Sequence, residues 1–351
     1  MAHPDIPVLR ELGVRLPVLA APMAGGPSTP QLVTAAWQAG SLGFLAGGYK
    51  TAHALENQLA EVAAAGAACG VNLFAPNPVP ISAAAYRRYT RALAGEAAPY
   101  GIDLAAVPLT EDDDWWADKV DVVLAARPAL VTTTFGIPPD PSVRALRQAG
   151  IPVGITVTSA VEALRAAEAG ADLLVVQGSA AGGHSGTLTP ERPPEPVDLA
   201  ELVRGVRAAS TLPVIAAGGI AAADDVRRVL AAGAGAVAVG TALLRTGESG
   251  ASATHRAALA DPAFDRTVVT RSFTGRPARG LASRWTAAHD HEAPLGYPAV
   301  HHLTAGLRRA AAAAGDPHRV HLWAGTGWRA AREEPAAQAL GRLAGFAAEG
   351  G

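Results

Sequence analysis

Residues 214–242 read VIAAGGIAAADDVRRVLAAGAGAVAVGTA, and this pattern sets the fold class. Two short apolar runs, Val214–Ala217 and Ala236–Gly240, flank a helical pattern over Asp224–Ala232 that is followed by Gly233. A strand, a crossover helix and a second strand form a βαβ unit, whose two strands run parallel. Because both runs are apolar throughout and do not alternate with polar residues, we expect helices to cover both faces of the sheet.

The same alternation of apolar runs and alanine-rich helical patterns extends along most of the chain. In the pattern Ser159–Ala169, for example, Ser159 suits the N-cap, Glu162 has the capping-box position, and Gly170 follows the end. Eight strands that alternate with helices predict a (β/α)8 TIM barrel in preference to an open doubly wound sheet. The predicted strands are Val18–Ala21, Leu42–Ala46, Gly70–Phe74, Leu130–Phe135, Pro152–Thr156, Leu173–Gln177, Val214–Ala217 and Ala236–Gly240.

Two regions interrupt this alternation. Residues from about 76 to 128 are too many for one crossover helix and include the acidic and aromatic segment Glu111–Trp116, which predicts an additional helical excursion or lid. Residues from about 242 to 351 are helical and loop-rich, with no convincing strand pattern. They predict a helical cap over the carboxyl ends of the strands. We therefore expect residues 1–351 to form a single domain.

Composition argues against several classes of protein. The chain has 351 residues, of which 49% are hydrophobic, enough for a large core. Its 29 Lys and Arg residues nearly balance 31 Asp and Glu residues, and no basic block suggests a nucleic-acid partner. The polar start does not resemble a signal peptide, no apolar run has transmembrane length, and a lone Cys69 suits a reducing compartment. We expect a cytoplasmic monomer or homodimer without a membrane partner.

Two glycine-containing segments follow the last two predicted strands. Gly218 and Gly219 end the seventh strand, and Gly240 and Thr241 end the eighth. These loops are neighbours at the carboxyl face of a TIM barrel, where backbone amides and a helix N-terminus bind phosphate. Either pair alone indicates no more than a tight turn, but both at these positions predict a phosphate-bearing ligand. The dinucleotide fingerprint and the P-loop spacing are both absent, so the sequence predicts no NAD site.

A histidine ends the turn that follows the sixth predicted strand. The strand ends in Gln177 and opens into GSAAGGH, which ends at His184. Glycines in this turn allow a flat or phosphorylated ligand to approach the backbone closely. We interpret His184 as a catalytic residue, the alternative being an incidental histidine on a flexible loop. The remaining histidines lack the spacing and the carboxylate partners of a metal site, and we expect none.

Ordered segments from about Leu16 to the C-terminal helix carry a resemblance to a known family. The chain resembles the FMN-dependent nitronate monooxygenases, formerly called 2-nitropropane dioxygenases. The segments Gly275–Gly280 and Leu322–Gly325 are similar to the bacterial class that prefers nitronates over neutral nitroalkanes. The matching segments are Ala21–Pro30, Gly70–Phe74, Thr133–Gly136, Thr156–Ser159, Gln177–Gly178, Ala181–His184, Ala217–Ile220, Gly240–Ala242, Gly275–Gly280 and Leu322–Gly325.

The resemblance implies a TIM barrel with non-covalent FMN that oxidises alkyl nitronates, such as propionate 3-nitronate, with O2. Electrons would pass singly to the flavin, without NADH and without a metal. His184 would face the substrate above the flavin. The implied cofactor contacts are Ala21, Pro22, Met23 and Gly182 along the ring, Asn72 and Gln177 at its polar edge, and Gly218, Gly219, Ala238, Val239, Gly240 and Thr241 at the phosphate.

Three positions depart from the family pattern. Ala180 replaces a common glutamate, His302 stands where tyrosine is frequent, and Thr326 replaces a usual glutamine. We expect Tyr297, His302 and Thr326 to shape the substrate pocket. His184 is expected either to pair with the nitronate oxygens or to remove the α-proton of a neutral nitroalkane. Two other functions stay open: an FMN-dependent NAD(P)H:quinone or enoyl-thioester reductase, and a non-catalytic flavin-binding protein.

Overall fold

The computed structural model describes residues 4–192 and 195–345 and has eight parallel strands in a closed barrel. Strand β1 pairs with β9 and closes the sheet, which confirms the predicted TIM barrel. The observed barrel strands begin and end within one or two residues of the predicted bounds. The strands are β1 Val18–Ala20, β2 Gly43–Ala46, β3 Cys69–Phe74, β4 Leu130–Thr134, β5 Val153–Val157, β6 Leu173–Gln177, β7 Gly183–His184, β8 Val214–Ala217, β9 Ala236–Val239, β10 Thr267–Thr270 and β11 Ala278–Leu281.

Helices surround the barrel and cover its carboxyl face. None of those in the described part of the chain combines the length and apolar character that a membrane span requires. The helices are α1 Pro7–Glu11, α2 Pro30–Gln38, α3 Ala52–Ala64, α4 Ala83–Ala97, α5 Trp116–Ala126, α6 Asp140–Gln148, α7 Ala160–Glu168, α8 Leu199–Ala209, α9 Ala223–Ala231, α10 Ala253–Ala260, α11 Arg284–His289, α12 Ala299–Ala313 and α13 Ala336–Leu343.

The start of α7 shows how a helix cap also anchors a loop of the site. Ser159 accepts a hydrogen bond from the amide of Glu162, as the capping pattern predicts. The Glu162 carboxylate bonds one residue further back than expected, to the amide and hydroxyl of Thr158. Its other oxygen accepts from the Thr187 hydroxyl and the Leu188 amide, each at 2.7 Å. This buried carboxylate therefore fixes the chain that follows β7.

The amino-terminal end of the barrel is closed by α1. Ile6 and Leu9 are buried against residues at the starts of the strands, including Leu42, Leu130 and Leu173. Burying an aliphatic side chain of this size contributes roughly 1.5–3 kcal/mol. Side chains fill the amino-terminal end of the barrel, so the carboxyl end is the one that is open to a ligand.

The excursion between β3 and β4 packs on the C-terminal region. Helix α4 buries Tyr89 and Leu93 in one apolar cluster with Leu303 and Leu307 of α12. Helix α5 returns to the barrel and packs against α3 as the crossover helix. The excursion and α12 thus form one apolar layer above the carboxyl face.

The expectation that the region after Gly240 contains no strands is wrong. Strands β10 and β11 form a three-stranded antiparallel sheet with β7, in which Ala278 pairs with His184 and Arg279 with Gly183. The sequence ARGL of β11 has weak strand propensity, and β7 is only two residues long. Tertiary pairing between distant segments, and not local propensity, forms this sheet.

Candidate functional site

A cavity of about 480 Å³ opens at the carboxyl ends of the barrel strands, beneath the C-terminal region. Its wall includes every residue that the sequence predicts as catalytic or cofactor-binding. These residues are Ala21, Pro22, Met23, Asn72, Gln177, Gly182, His184, Gly218, Gly219, Ala238, Val239, Gly240 and Thr241. The fold therefore brings together side chains and loops from five barrel strands and from β7.

The loops after β8 and β9 offer backbone donors to this cavity. Among the described residues, the amides of Gly218, Gly219, Gly240 and Thr241 donate to no backbone or side-chain acceptor. Gly218 and Gly219 have φ angles of 117° and 73°, which L side chains rarely adopt. Unpaired amides at the ends of two adjacent strands suit an anion of phosphate size.

Thr326 lies beside the loop that follows β8. Its amide donates to the Ala180 carbonyl at 3.0 Å, and the neighbouring Gly325 amide donates to Thr241 Oγ1 at 3.0 Å. A Cβ built on Gly219 would lie 3.5 Å from Thr326 Oγ1. Thr326 therefore lies beside the glycine loops, and its part in the substrate pocket stays a prediction.

Two amide side chains hold backbone and neighbouring strands in position. Gln177 accepts from the Gly186 amide at 2.7 Å and donates to the His184 carbonyl at 3.1 Å, so both ends of its amide hold the turn of β7. Asn72 donates to Thr132 Oγ1 and Thr134 Oγ1, each at 3.0 Å. Both side chains line the cavity, but their described hydrogen bonds are structural.

His184 projects from β7 into an aromatic surround. Its Nε2 lies 2.9 Å from Thr274 Oγ1. The rings of Phe135, Tyr297 and Trp323 contact its ring at centroid distances of 5.5, 5.9 and 5.4 Å, all near edge-to-face. Tyr297 thus lies beside His184 without being on the cavity wall, and its part in the substrate pocket stays a prediction.

The charge state of His184 follows from this environment. Burial, with the positive charges of Arg276 and Arg308, lowers its pKa to about 3. The imidazole is therefore neutral at physiological pH and can accept or donate a hydrogen bond without carrying charge.

His301, and not the predicted His302, faces the cavity. The His302 side chain is about one-third exposed and its Nε2 lies 2.9 Å from Asp112 of the excursion. His301 lines the cavity, with its ring stacked on Tyr49 at 4.0 Å. Successive residues of a helix point about 100° apart, so the two histidines of α12 cannot face the same side.

Sequence reasoning missed a second polar group on the cavity wall. Arg308 of α12 lines the cavity together with His301, His321 and His255. The signal was present in α12, where His301, Thr304 and Arg308 follow helical spacing along one face of a largely apolar helix. A polar stripe on the buried face of a helix commonly marks a site.

Comparison with known proteins assigns the family. A family model described as nitronate monooxygenase matches residues 7–344. The chain belongs to the nitronate monooxygenase family. One relative, the nitronate monooxygenase of Pseudomonas aeruginosa, is 39% identical over 342 residues, covering 95% of this chain and 97% of the relative. A probable nitronate monooxygenase of Bacillus subtilis is 32% identical over 332 residues, covering 93% and 94%. Membership of the nitronate monooxygenase family makes the chain an oxidoreductase.

Solved structures agree with this family. A nitroalkane oxidase from Streptomyces ansochromogenes superposes with a TM-score of 0.91 at 44% identity and covers 97% of this chain and 98% of its own. FabK from Thermotoga maritima superposes with a TM-score of 0.74 at 25% identity and covers 97% and 94%. Nitronate monooxygenases thus share their barrel with a wider group of proteins.

Proposed function

We propose that the protein is an FMN-dependent enzyme that oxidises alkyl nitronates, such as propionate 3-nitronate, with O2. The observation that carries the proposal is one cavity that joins the unpaired amides after β8 and β9 to His184. The amides fit a phosphate group, and the apolar wall beside them fits a planar ring. FMN, when bound, supplies an acceptor that takes electrons singly from the nitronate and passes them to O2.

The residues on the wall divide by their chemistry. Amides of Gly218, Gly219, Gly240 and Thr241 would bind the phosphate, and the Thr326 hydroxyl lies beside them. The polar edge of the ring would face Asn72 and Gln177. The remaining predicted contacts are apolar or backbone, from Ala21, Pro22, Met23, Gly182, Ala238 and Val239.

His184 would bind the nitronate as a neutral hydrogen-bonding group. Because its pKa is lowered to about 3, it is a weak base for removing an α-proton from a neutral nitroalkane. A preformed nitronate has already lost that proton. The proposal therefore favours nitronates as substrates and gives His184 the task of orienting them.

An anaerobic experiment separates this proposal from its alternatives. The FMN-loaded protein is mixed first with propionate 3-nitronate and, in a second sample, with NADH, while the flavin absorbance is followed. Bleaching by the nitronate alone, with nitrite formed once air is admitted, supports the proposal. Bleaching by NADH alone would support the reductase alternative. No bleaching by either would leave a flavin-binding protein.

A further inference from the structure

Arg308 is a buried cation that no carboxylate of the described residues neutralises. Arg308 is 5% exposed, and it forms no ion pair among residues 4–192 and 195–345. Its Nε donates to Thr304 Oγ1 at 3.0 Å, and its Nη2 donates to the His301 carbonyl at 3.0 Å. Its Nη1 lies 3.2 Å from both ring nitrogens of His321. Because a neutral imidazole accepts at only one ring nitrogen, one of the two N–H groups of Nη1 has no acceptor among these contacts, and the positive charge has no counterion among the described residues.

Two other buried cations of the chain provide a comparison. Lys119 lies 2.6 Å from a carboxylate oxygen of Asp114. Arg276 also forms no ion pair among the described residues, but it lies over the ring of Phe135 and its Nη2 donates to the Phe135 and Thr187 carbonyls. A buried charge without such compensation is costly to the free protein. Arg308 remains protonated at neutral pH, since burial lowers its pKa only to about 10.

The histidines around Arg308 are neutral hydrogen-bonding groups. Arg308 Nη2 lies 3.1 Å from His301 Nδ1, which must accept this bond, so the His301 proton is on Nε2. Burial and the charge of Arg308 hold the pKa values of His301 and His321 well below the usual range. This part of the wall therefore presents the buried charge of Arg308 and the exposed charge of Arg309 together with neutral donors, and no carboxylate among the described residues lines it.

We infer that Arg308, acting with His301, makes the site select an anionic nitronate over the neutral nitroalkane of the same carbon skeleton. The inference rests on the proposed function and names a specificity determinant of that site. The two forms differ by one proton and one charge. A neutral, apolar cavity would favour the nitroalkane, because an anion loses more hydration on entry. The charge of Arg308 reverses this preference and would hold other small planar oxyanions, such as nitrate.

The test compares both forms in matched variants of the FMN-loaded protein. Measured quantities are the KM for ethylnitronate, the inhibition constant of nitroethane, and the dissociation constant of nitrate by calorimetry. Arg308→Met is expected to weaken the binding of ethylnitronate and of nitrate by roughly 10- to 100-fold, the range for loss of a hydrogen bond to a charged group. The inhibition constant of nitroethane should change by less than about twofold. Arg308→Lys should recover part of the loss, and Arg284→Met, at an exposed arginine of α11 outside the cavity wall, should change little.

Equal losses for ethylnitronate and nitroethane in Arg308→Met, or unchanged nitrate binding, would overturn the inference. If that variant does not fold, His301→Phe keeps a ring on Tyr49 and removes both ring nitrogens, and the same selective loss is expected. A wild-type protein that oxidises no nitronate would refute the proposed function instead. Arg308-dependent nitrate binding in that protein would still support the anion site.

Discussion

Replacing Gly219 by alanine tests the phosphate loop with a well-matched control. Gly219 has φ of 73°, and an added Cβ would lie 2.8 Å from the Ala180 Cβ, too close for the loop to keep its place. The left-handed conformation costs a non-glycine residue roughly 1–2 kcal/mol. Gly150→Ala provides the control, because φ is 74° there and the nearest atom is 3.9 Å away, outside the cavity.

The expected effect on FMN follows from the displaced amides. Each hydrogen bond to a charged group contributes roughly 1.5–3 kcal/mol, so the loss of one should weaken FMN binding by about 10- to 100-fold. Titration of apoprotein with FMN by fluorescence quenching measures this, and thermal melting of both apoproteins measures the strain. We expect similar melting temperatures for the two variants and weaker FMN only for Gly219→Ala. Wild-type affinity in Gly219→Ala would show that these glycines only form a turn.

Three further outcomes follow from the site. His184→Asn should retain FMN. In oxygen-uptake assays its kcat/KM for ethylnitronate should fall by roughly 10- to 100-fold, because a hydrogen bond to an anion is lost. Loss of FMN from this variant would instead show that His184 has a structural role. Burial lowers the pKa of His255 to about 4, so the unfolded chain binds more protons and stability should fall as pH decreases from about 6.5 to 4. Melting curves should show a loss of roughly 1 kcal/mol per pH unit for each such histidine, and His255→Gln should flatten the slope. His302→Phe should change the KM for ethylnitronate by less than about twofold, because His302 pairs with Asp112 away from the cavity; a large increase in KM would return His302 to the substrate pocket.

Sequence alone predicts the barrel and its phosphate end because their signals are local. Each strand, its loop and the next helix are consecutive, and a closed parallel barrel places the loops after Ala217 and Val239 side by side. The order of the elements therefore fixes where these amides lie. No knowledge of distant contacts is needed to place Gly218, Gly219, Gly240 and Thr241 together.

The other side of the cavity depends on contacts that local patterns do not encode. The pairing of β7 with β11 joins His184 to Ala278 across almost a hundred residues, and neither strand is distinctive by itself. The choice between His301 and His302 is a matter of helix phase, which depends on how α12 packs against α4. The family resemblance predicts a polar residue in this segment of α12 but does not predict which face of the helix it occupies.

Because β11 lies far along the chain from β7, the glycine loops and the sheet that holds His184 are completed at different points during synthesis. The glycine loops are complete once the ribosome has added Thr241, whereas the sheet that holds His184 needs Leu281, and its bridge from Gly280 needs Trp323. A nascent chain that ends between these points has the residues of the glycine loops but lacks the partner strand of His184, and it also lacks α13, which packs against α2 and α9 in the barrel core. Termination between residues 242 and 277 would thus leave the glycine loops without the strand that pairs with His184 and without the last helix of the barrel core.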